Sequence, residues 1–228
     1  MRERGTRANL ERATRGRSVV MFRCWAVSAA IVTLAASAGA ALAHSFNVAF
    51  VAPLSGPRAN EGKRALDGFL LATREQDGHA LETSDGHLGG LDSHVLTIDS
   101  AQGPEAVQQR LEAILREGEL TFVTGILAPE AREAVAAALV RTRVILIEPT
   151  DSPAFRSAAR AAGRVTTMDG RAFREVFRKA YPYAPDEYAT KGYIAARLIA
   201  AAVRAAGVSV SDPAALRSAV DRARVRLD

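Results

Sequence analysis

Along most of the chain, apolar runs of strand length alternate with stretches of helical period. Ser45 to Ala52 (S-F-N-V-A-F-V-A) reads as a first strand, stopped by Pro53, which has no N–H to continue a ladder. Asn60 to Gln76 reads as a helix with Leu66, Phe69, Leu70 and Thr73 on one face, and a Gly- and His-rich loop follows from Asp77 to Ser93. His94 to Ile98 forms a second strand leading into Asp99 and Ser100. Pro104 then opens the cleanest amphipathic helix of the sequence, with Val107, Leu111, Ile114 and Leu115 at i, i+4, i+7 and i+8. Leu120 to Thr124 is a strand, Pro129 to Val140 a helix and Val144 to Ile147 a strand, after which Ser152-Pro153 caps and starts a helix ending at Gly163.

Strand and helix thus repeat about four times with short connections. That pattern predicts an α/β fold, a parallel sheet with helices on both faces, because parallel strands need crossover helices and right-handed crossovers stack them on the faces. After Gly163 the pattern changes. Val165 to Met168 reads as one short strand, and the rest is helical over Arg171 to Ala180, Asp186 to Ala206 and Asp212 to Ala223.

The 228 residues suit one ordinary domain or two small ones, and 48% hydrophobic with 24% charged residues excludes disorder and fibrous classes. A formal charge of +5 suggests a nucleic-acid or membrane binder, but residues 1–43 hold seven Arg and two Glu and account for all of it. The remaining 185 residues carry 23 basic and 23 acidic side chains, so the sequence gives no basic-patch reason to expect a nucleic-acid partner. Charge does divide along them: 44–155 carry 9 basic and 16 acidic residues, 156–228 carry 14 and 7. Solvated helix faces explain that asymmetry, and association between unlike halves is the other reading.

Residues 1–43 read as an export signal: an Arg-rich stretch to Arg23, an apolar run from Trp25 to Leu42, and the small-residue pattern Ala41-Leu42-Ala43 before His44. A membrane anchor is the competing reading, but Ala, Ser, Thr and Gly dilute the run. Met21 is an alternative start. Cleavage removes Cys24 and Trp25, the only cysteine and the only tryptophan, so the exported protein is expected to be periplasmic, without disulfide or thiolate ligand.

In an open parallel sheet, ligands bind beyond the carboxyl ends of the strands, where helix amino termini offer N–H groups. Three loops qualify: Pro53-Leu54-Ser55-Gly56, Gly125-Ile126-Leu127-Ala128 and Glu148-Pro149-Thr150-Asp151-Ser152. Their candidate ligand-binding residues are Leu54, Ser55, Gly56, Ile126, Leu127, Ala128, Thr150, Asp151 and Ser152.

The stretches V-A-F-V-A-P-L-S-G-P (48–57), G-G-L-D-S-H-V-L-T-I-D-S-A-Q-G-P-E-A-V-Q-Q-R-L (89–111), V-T-G-I-L-A-P-E-A-R-E-A-V (123–135), V-I-L-I-E-P-T-D-S-P (144–153) and Y-P-Y-A-P-D-E-Y-A-T-K-G-Y-I-A-A-R-L-I (181–199) carry a further signal. In that order, the chain resembles the periplasmic solute-binding proteins of branched-chain amino-acid type ABC transporters. The resemblance implies a type I periplasmic binding fold, non-catalytic capture of a small polar solute such as an amino acid or amine, and an ABC permease as partner. It divides the chain into a leader (1–43), an α/β ligand-binding lobe (44–163) and a shortened, mainly helical C-terminal region (164–228) packing on that lobe. Family members have two lobes of comparable size; here most of the second is missing, which removes the enclosure that usually buries a small ligand.

The candidate loops depart from the family as well. Where it offers hydroxyls and N–H groups to an amino-acid carboxylate, this chain has Ala128 and Pro129. Thr150 and Ser152 keep hydroxyls, but Glu148 and Asp151 add carboxylates that repel an anion, so a cationic or neutral polar ligand is the better fit. Capping of the next helix by Asp151 or Ser152 is the competing assignment. A second function follows from the shortened lobe: an accessory or interaction protein without transport ligand, pairing with itself or a partner through the uncovered sheet end.

Other chemistry is weaker. His79, His87 and His94 lie with Glu82, Asp85 and Asp92 around one loop, but not at the spacing of a compact metal site, and neither a metal nor a cofactor is expected. No G-x-S-x-G, phosphate-loop, dinucleotide or H-E-x-x-H pattern occurs, and nothing completes an acid and base pair at Glu148 and Asp151, so no enzyme is expected. Tyr181, Tyr183, Tyr188 and Tyr193 flank a turn with two prolines, where ligand stacking competes with helix packing as their role.

Overall fold

A computed structural model describes residues 45–75, 84–118, 120–149, 171–207 and 212–223, all within one unit, Ser45–Asp228. The strands are β1 (Ser45–Ala52), β2 (His87–Leu88), β3 (Leu91–Asp99), β4 (Leu120–Gly125) and β5 (Ile145–Ile147). The helices are α1 (Ala59–Arg74), α2 (Pro104–Glu117), α3 (Pro129–Leu139), α4 (Arg171–Ala180), α5 (Glu187–Ala206) and α6 (Pro213–Arg222). Single 3-10 turns at Gly56–Arg58 and Ser100–Gln102 precede α1 and α2.

The strands form one five-stranded sheet in the order β2-β3-β1-β4-β5. β1 pairs in parallel with β3 and β4, β4 in parallel with β5, and β2 antiparallel with β3. The α/β reading holds, with a correction at the expected loop 77–93: β3 begins within it at Leu91, three residues before the expected His94, and it contains a short antiparallel edge strand. Two residues carry no periodicity by which to see it.

β1 sits at the centre with both faces buried, as its nearly continuous apolar run requires. Phe46, Val48, Phe50 and Ala52 enter one core with α1, α4, α5 and α6. Ala49 and Val51 enter the other, with Val107, Leu111 and Ile114 of α2 and Ala134 and Val135 of α3. The period-2 alternation of a strand thus feeds two layers of helices.

On α1 the buried line agrees only in part with the expected face. Phe69 and Thr73 are fully buried as expected, but Leu66 and Leu70 are only partly so, and Gly62, Ala65, Gly68 and Ala72 are buried instead. The cause is close contact with α5: a Cβ at Gly68 would stand 1.8 Å from the Ala189 carbonyl oxygen, and one at Gly192 1.8 Å from that of Ala65. Small residues let the two backbones meet, and the apolar area comes from neighbouring Phe69, Ile194, Leu198 and Ile199.

The aromatic side chains join α4 and α5 to this layer. Phe173 of α4 packs 4.6 Å, ring to ring, from Tyr193 of α5. Tyr193 donates to the Glu75 carboxylate at 2.8 Å, and Tyr181 donates to the Asp67 carbonyl at 2.9 Å. Tyr183 donates to the Asp67 carboxylate, with the Arg64 guanidinium 4.4 Å over its ring. These phenols hold the C-terminal helices against α1, which is the packing role among the two open for them. Asp186 and Asp212 cap α5 and α6 by accepting from the N–H groups of Ala189 and Ala214, both at 2.9 Å.

Candidate ligand-binding rim

β1, β3, β4 and β5 end at one edge of the sheet, and α1, α2 and α3 begin there. After β1 the next parallel strand, β3, lies on one side and β4 on the other, so the strand order reverses at β1. A crevice at such a reversal is where open α/β sheets hold ligands. The loops at that point are Pro53 to Gly56 and Gly125 to Ala128, two of the three expected from the sequence.

Asp99, at the end of β3, organises the first loop. Its Oδ1 accepts from the N–H groups of Leu54 at 2.7 Å, Ser55 at 3.3 Å and Ala101 at 3.0 Å. Its Oδ2 accepts from Gln102 Nε2 at 3.2 Å, and the same nitrogen donates to Ser55 Oγ at 3.2 Å. Burial works against the ionised form of Asp99, but the hydrogen bonds from the Ser55 side chain, Leu54, Ala101 and Gln102 outweigh it and hold its pKa at about 2. The loop is therefore clamped across two strands by an ionised carboxylate.

The second loop is fixed from below. A Cβ at Gly125 (φ 143°) would stand 1.8 Å from the Val51 carbonyl oxygen, so only glycine allows β4 to close this tightly on β1. The N–H of Ile126 donates to that oxygen at 2.9 Å. Thr124 Oγ1 donates to the Ile147 carbonyl at 2.7 Å and ties β4 to β5 inside the protein. Beyond β5, the Glu148 carboxylate meets Arg132 Nε of α3 at 2.6 Å.

The candidate residues divide accordingly. Leu54 and Ile126 are partly buried against the α1/α5 core and Leu127 against the α2/α3 core, so part of each apolar side chain supports the rim. Ser55 presents a hydroxyl, Gly56 is exposed, and Ala128 precedes α3 without a capping side chain. Thr150, Asp151 and Ser152 lie outside the described residues, as do the helix expected after Pro153 and the strand expected at 165–168. The repulsion expected from Glu148 needs correcting, since Arg132 pairs with its charge.

Asp99, Gln102 and Arg132 belong to the rim although sequence reasoning did not single them out as site residues. For Asp99 the available signal is a carboxylate directly after an apolar strand whose parallel neighbour ends in Pro-Leu-Ser-Gly. In the loop of histidines, His87 pairs with Asp92 across the β2/β3 hairpin at 2.8 Å, and Asp85 accepts from the Val95 N–H at 2.7 Å. Among the described residues no helix is long and apolar enough to cross a membrane.

No protein-family model and no curated protein matches the sequence. Solved structures do. A solute binding protein of an ABC transporter from R. palustris, in complex with benzoate, is 13% identical with a TM-score of 0.60, over 78% of this chain and 86% of its own. The branched-chain amino acid transporter substrate binding protein LivJ from Streptococcus pneumoniae, in complex with isoleucine, is 12% identical with a TM-score of 0.58, over 77% and 87%. Leucine binding protein LivK from Thermotoga maritima is 10% identical with a TM-score of 0.59, over 77% and 87%. The chain therefore has the fold of the solute-binding proteins of branched-chain amino-acid and aromatic-acid ABC transporters, built around a five-stranded, mostly parallel sheet.

Proposed function

We propose that the protein is an exported, non-catalytic solute-binding lobe that captures a small polar solute in the periplasm for an ABC permease. The observation that carries this reading is the rim at the strand-order reversal, where Ser55 and Gln102 are held in fixed orientation by Asp99. Preorganised polar groups at this position are what a binding site in an open α/β sheet requires. The leader pattern of residues 1–43 supports export, and the lobe 44–163 with the C-terminal region 164–228 would form the exported part.

A thermal-stability screen against amino acids, amines and small aromatic acids tests the reading, because a ligand that binds only the folded state raises Tm. Saturable stabilisation by at least one compound, lost in Ser55→Ala, is the expected result. No shift across the panel at about 10 mM, more than enough for a millimolar site, contradicts it.

A second reading, an accessory or interaction protein, is favoured by one observation: Leu54, Ile126 and Leu127 partly pack into the two cores, leaving less of each to line a cleft. It requires association with a second copy or another protein, which sedimentation of the purified protein measures. A dimer whose formation is blocked by Gly56→Arg supports it.

A further inference from the structure

We infer that the rim selects an organic cation, a ligand with a primary ammonium or amidinium group, in preference to a carboxylate. This rests on the proposed function and concerns the same rim. Several of its main-chain donors are already engaged within the protein. The N–H groups of Leu54, Ser55 and Ala101 all donate to Asp99 Oδ1, that of Ile126 to the Val51 carbonyl, and that of Gly103 to the Ser100 carbonyl at 3.3 Å. Pro57, Pro104 and Pro129, at or beside the first positions of the turn and helices that face the rim, have no N–H.

Gln102 directs its amide nitrogen to both Ser55 Oγ and Asp99 Oδ2. The reverse orientation would set its oxygen against a carboxylate oxygen, so Asp99 fixes the amide and the carbonyl Oε1 is turned away from the clamp. Gln102 is exposed and the Ser55 hydroxyl proton goes to Asp99, so this acceptor and a remaining lone pair on Ser55 Oγ are what the clamp has left for a ligand. Both accept, and a ligand that donates satisfies them.

The helix ends point the same way. Each of α1, α2 and α3 carries a glutamate in its first turn, Glu61, Glu105 and Glu130, which offsets the partial positive charge that would draw an anion. The guanidinium groups nearby are engaged with carboxylates, Arg58 with Glu61 and Arg132 with Glu148, both at 2.6 Å.

Three probes of similar size separate the possibilities: butylammonium chloride, sodium butyrate and isoleucine, each titrated against Tm at constant ionic strength. Butylammonium should stabilise saturably and butyrate should not. Gln102→Leu, a change at an exposed side chain, should weaken butylammonium binding about fivefold or more, as expected for loss of a hydrogen bond to a charged group. Because Gln102 also donates to Asp99 and Ser55, each titration is read against the free variant's own Tm. Stabilisation by butyrate or isoleucine with butylammonium silent overturns the inference and leaves solute capture standing. Silence of all three overturns the inference, and the broader panel then decides solute capture. Unchanged butylammonium binding by Gln102→Leu also overturns it.

Discussion

The main-chain N–H of Leu54 donates to the carboxylate of Asp99 across 2.7 Å, joining the loop after β1 to the end of β3 although 45 residues separate them in sequence. Ser55, Ala101 and Gln102 complete the clamp. Asp99 holds one wall of the proposed site without being required to touch a ligand.

Replacing Asp99 by Asn should destabilise the protein by about 1–3 kcal/mol at neutral pH, the range for charge-assisted hydrogen bonds in partly buried surroundings. The folded-state pKa of about 2 lies below the unfolded value near 4, so this stabilisation is complete above about pH 4 and fades as the pH falls through 2. Urea unfolding of both proteins at pH 6 and near pH 2 measures it. The difference between them should shrink at the lower pH, and an unchanged difference would exclude an ionised clamp.

Gly68→Ala and Gly192→Ala should each be costly, since each new Cβ would meet a backbone carbonyl of the facing helix at 1.8 Å. Backbone cannot rotate away as a side chain can, so α1 and α5 must separate, at a cost of about 1–3 kcal/mol or more. Once parted by one substitution, the helices accommodate the second more easily. The double variant should therefore lose less stability than the two single losses combined, which a double-mutant cycle by urea unfolding measures. Strict additivity would mean that the two sites do not share one interface.

All four tyrosines have pKa values raised above the ordinary 10. Burial is the leading cause in each case, reinforced by the Asp67 charge at Tyr181 and Tyr183, Glu61 at Tyr188 and Glu75 at Tyr193. A raised tyrosine pKa stabilises the fold fully below the unfolded value near 10, and that contribution falls as the pH rises above it. Phenolate absorbance of the native protein should therefore develop above pH 10, while the unfolded protein titrates near 10. A native tyrosine that ionises at the unfolded midpoint would show that its phenol is not held as described.

Much of this architecture can be read from the sequence because it rests on local signals. The apolar run of β1, the helical spacing of Val107, Leu111 and Ile114, and the caps Asp186 and Asp212 each depend on residues within a few positions of one another. The β2 edge strand has only His87 and Leu88, too short for periodicity. On α1 the expected face holds at Phe69 and Thr73, but contact with α5, more than a hundred residues later, favours Gly62, Ala65 and Gly68 over Leu66 and Leu70. Loops at the rim follow from strand ends, whereas the roles of Asp99 and of the Arg132–Glu148 pair depend on which strand ends meet.

The most direct test of the central claim, that a small polar solute binds at the carboxyl ends of β1 and β4, is a backbone-amide NMR shift map with the best stabilising compound from the screen. The account predicts saturable shifts clustered at Ser55, Gly56, Gln102, Leu127 and Ala128, with little change at Gly89, Gly90 and Arg141 at the other end of the sheet. Shifts centred on that opposite end, with the Ser55 and Leu127 amides unmoved at saturation, would contradict it.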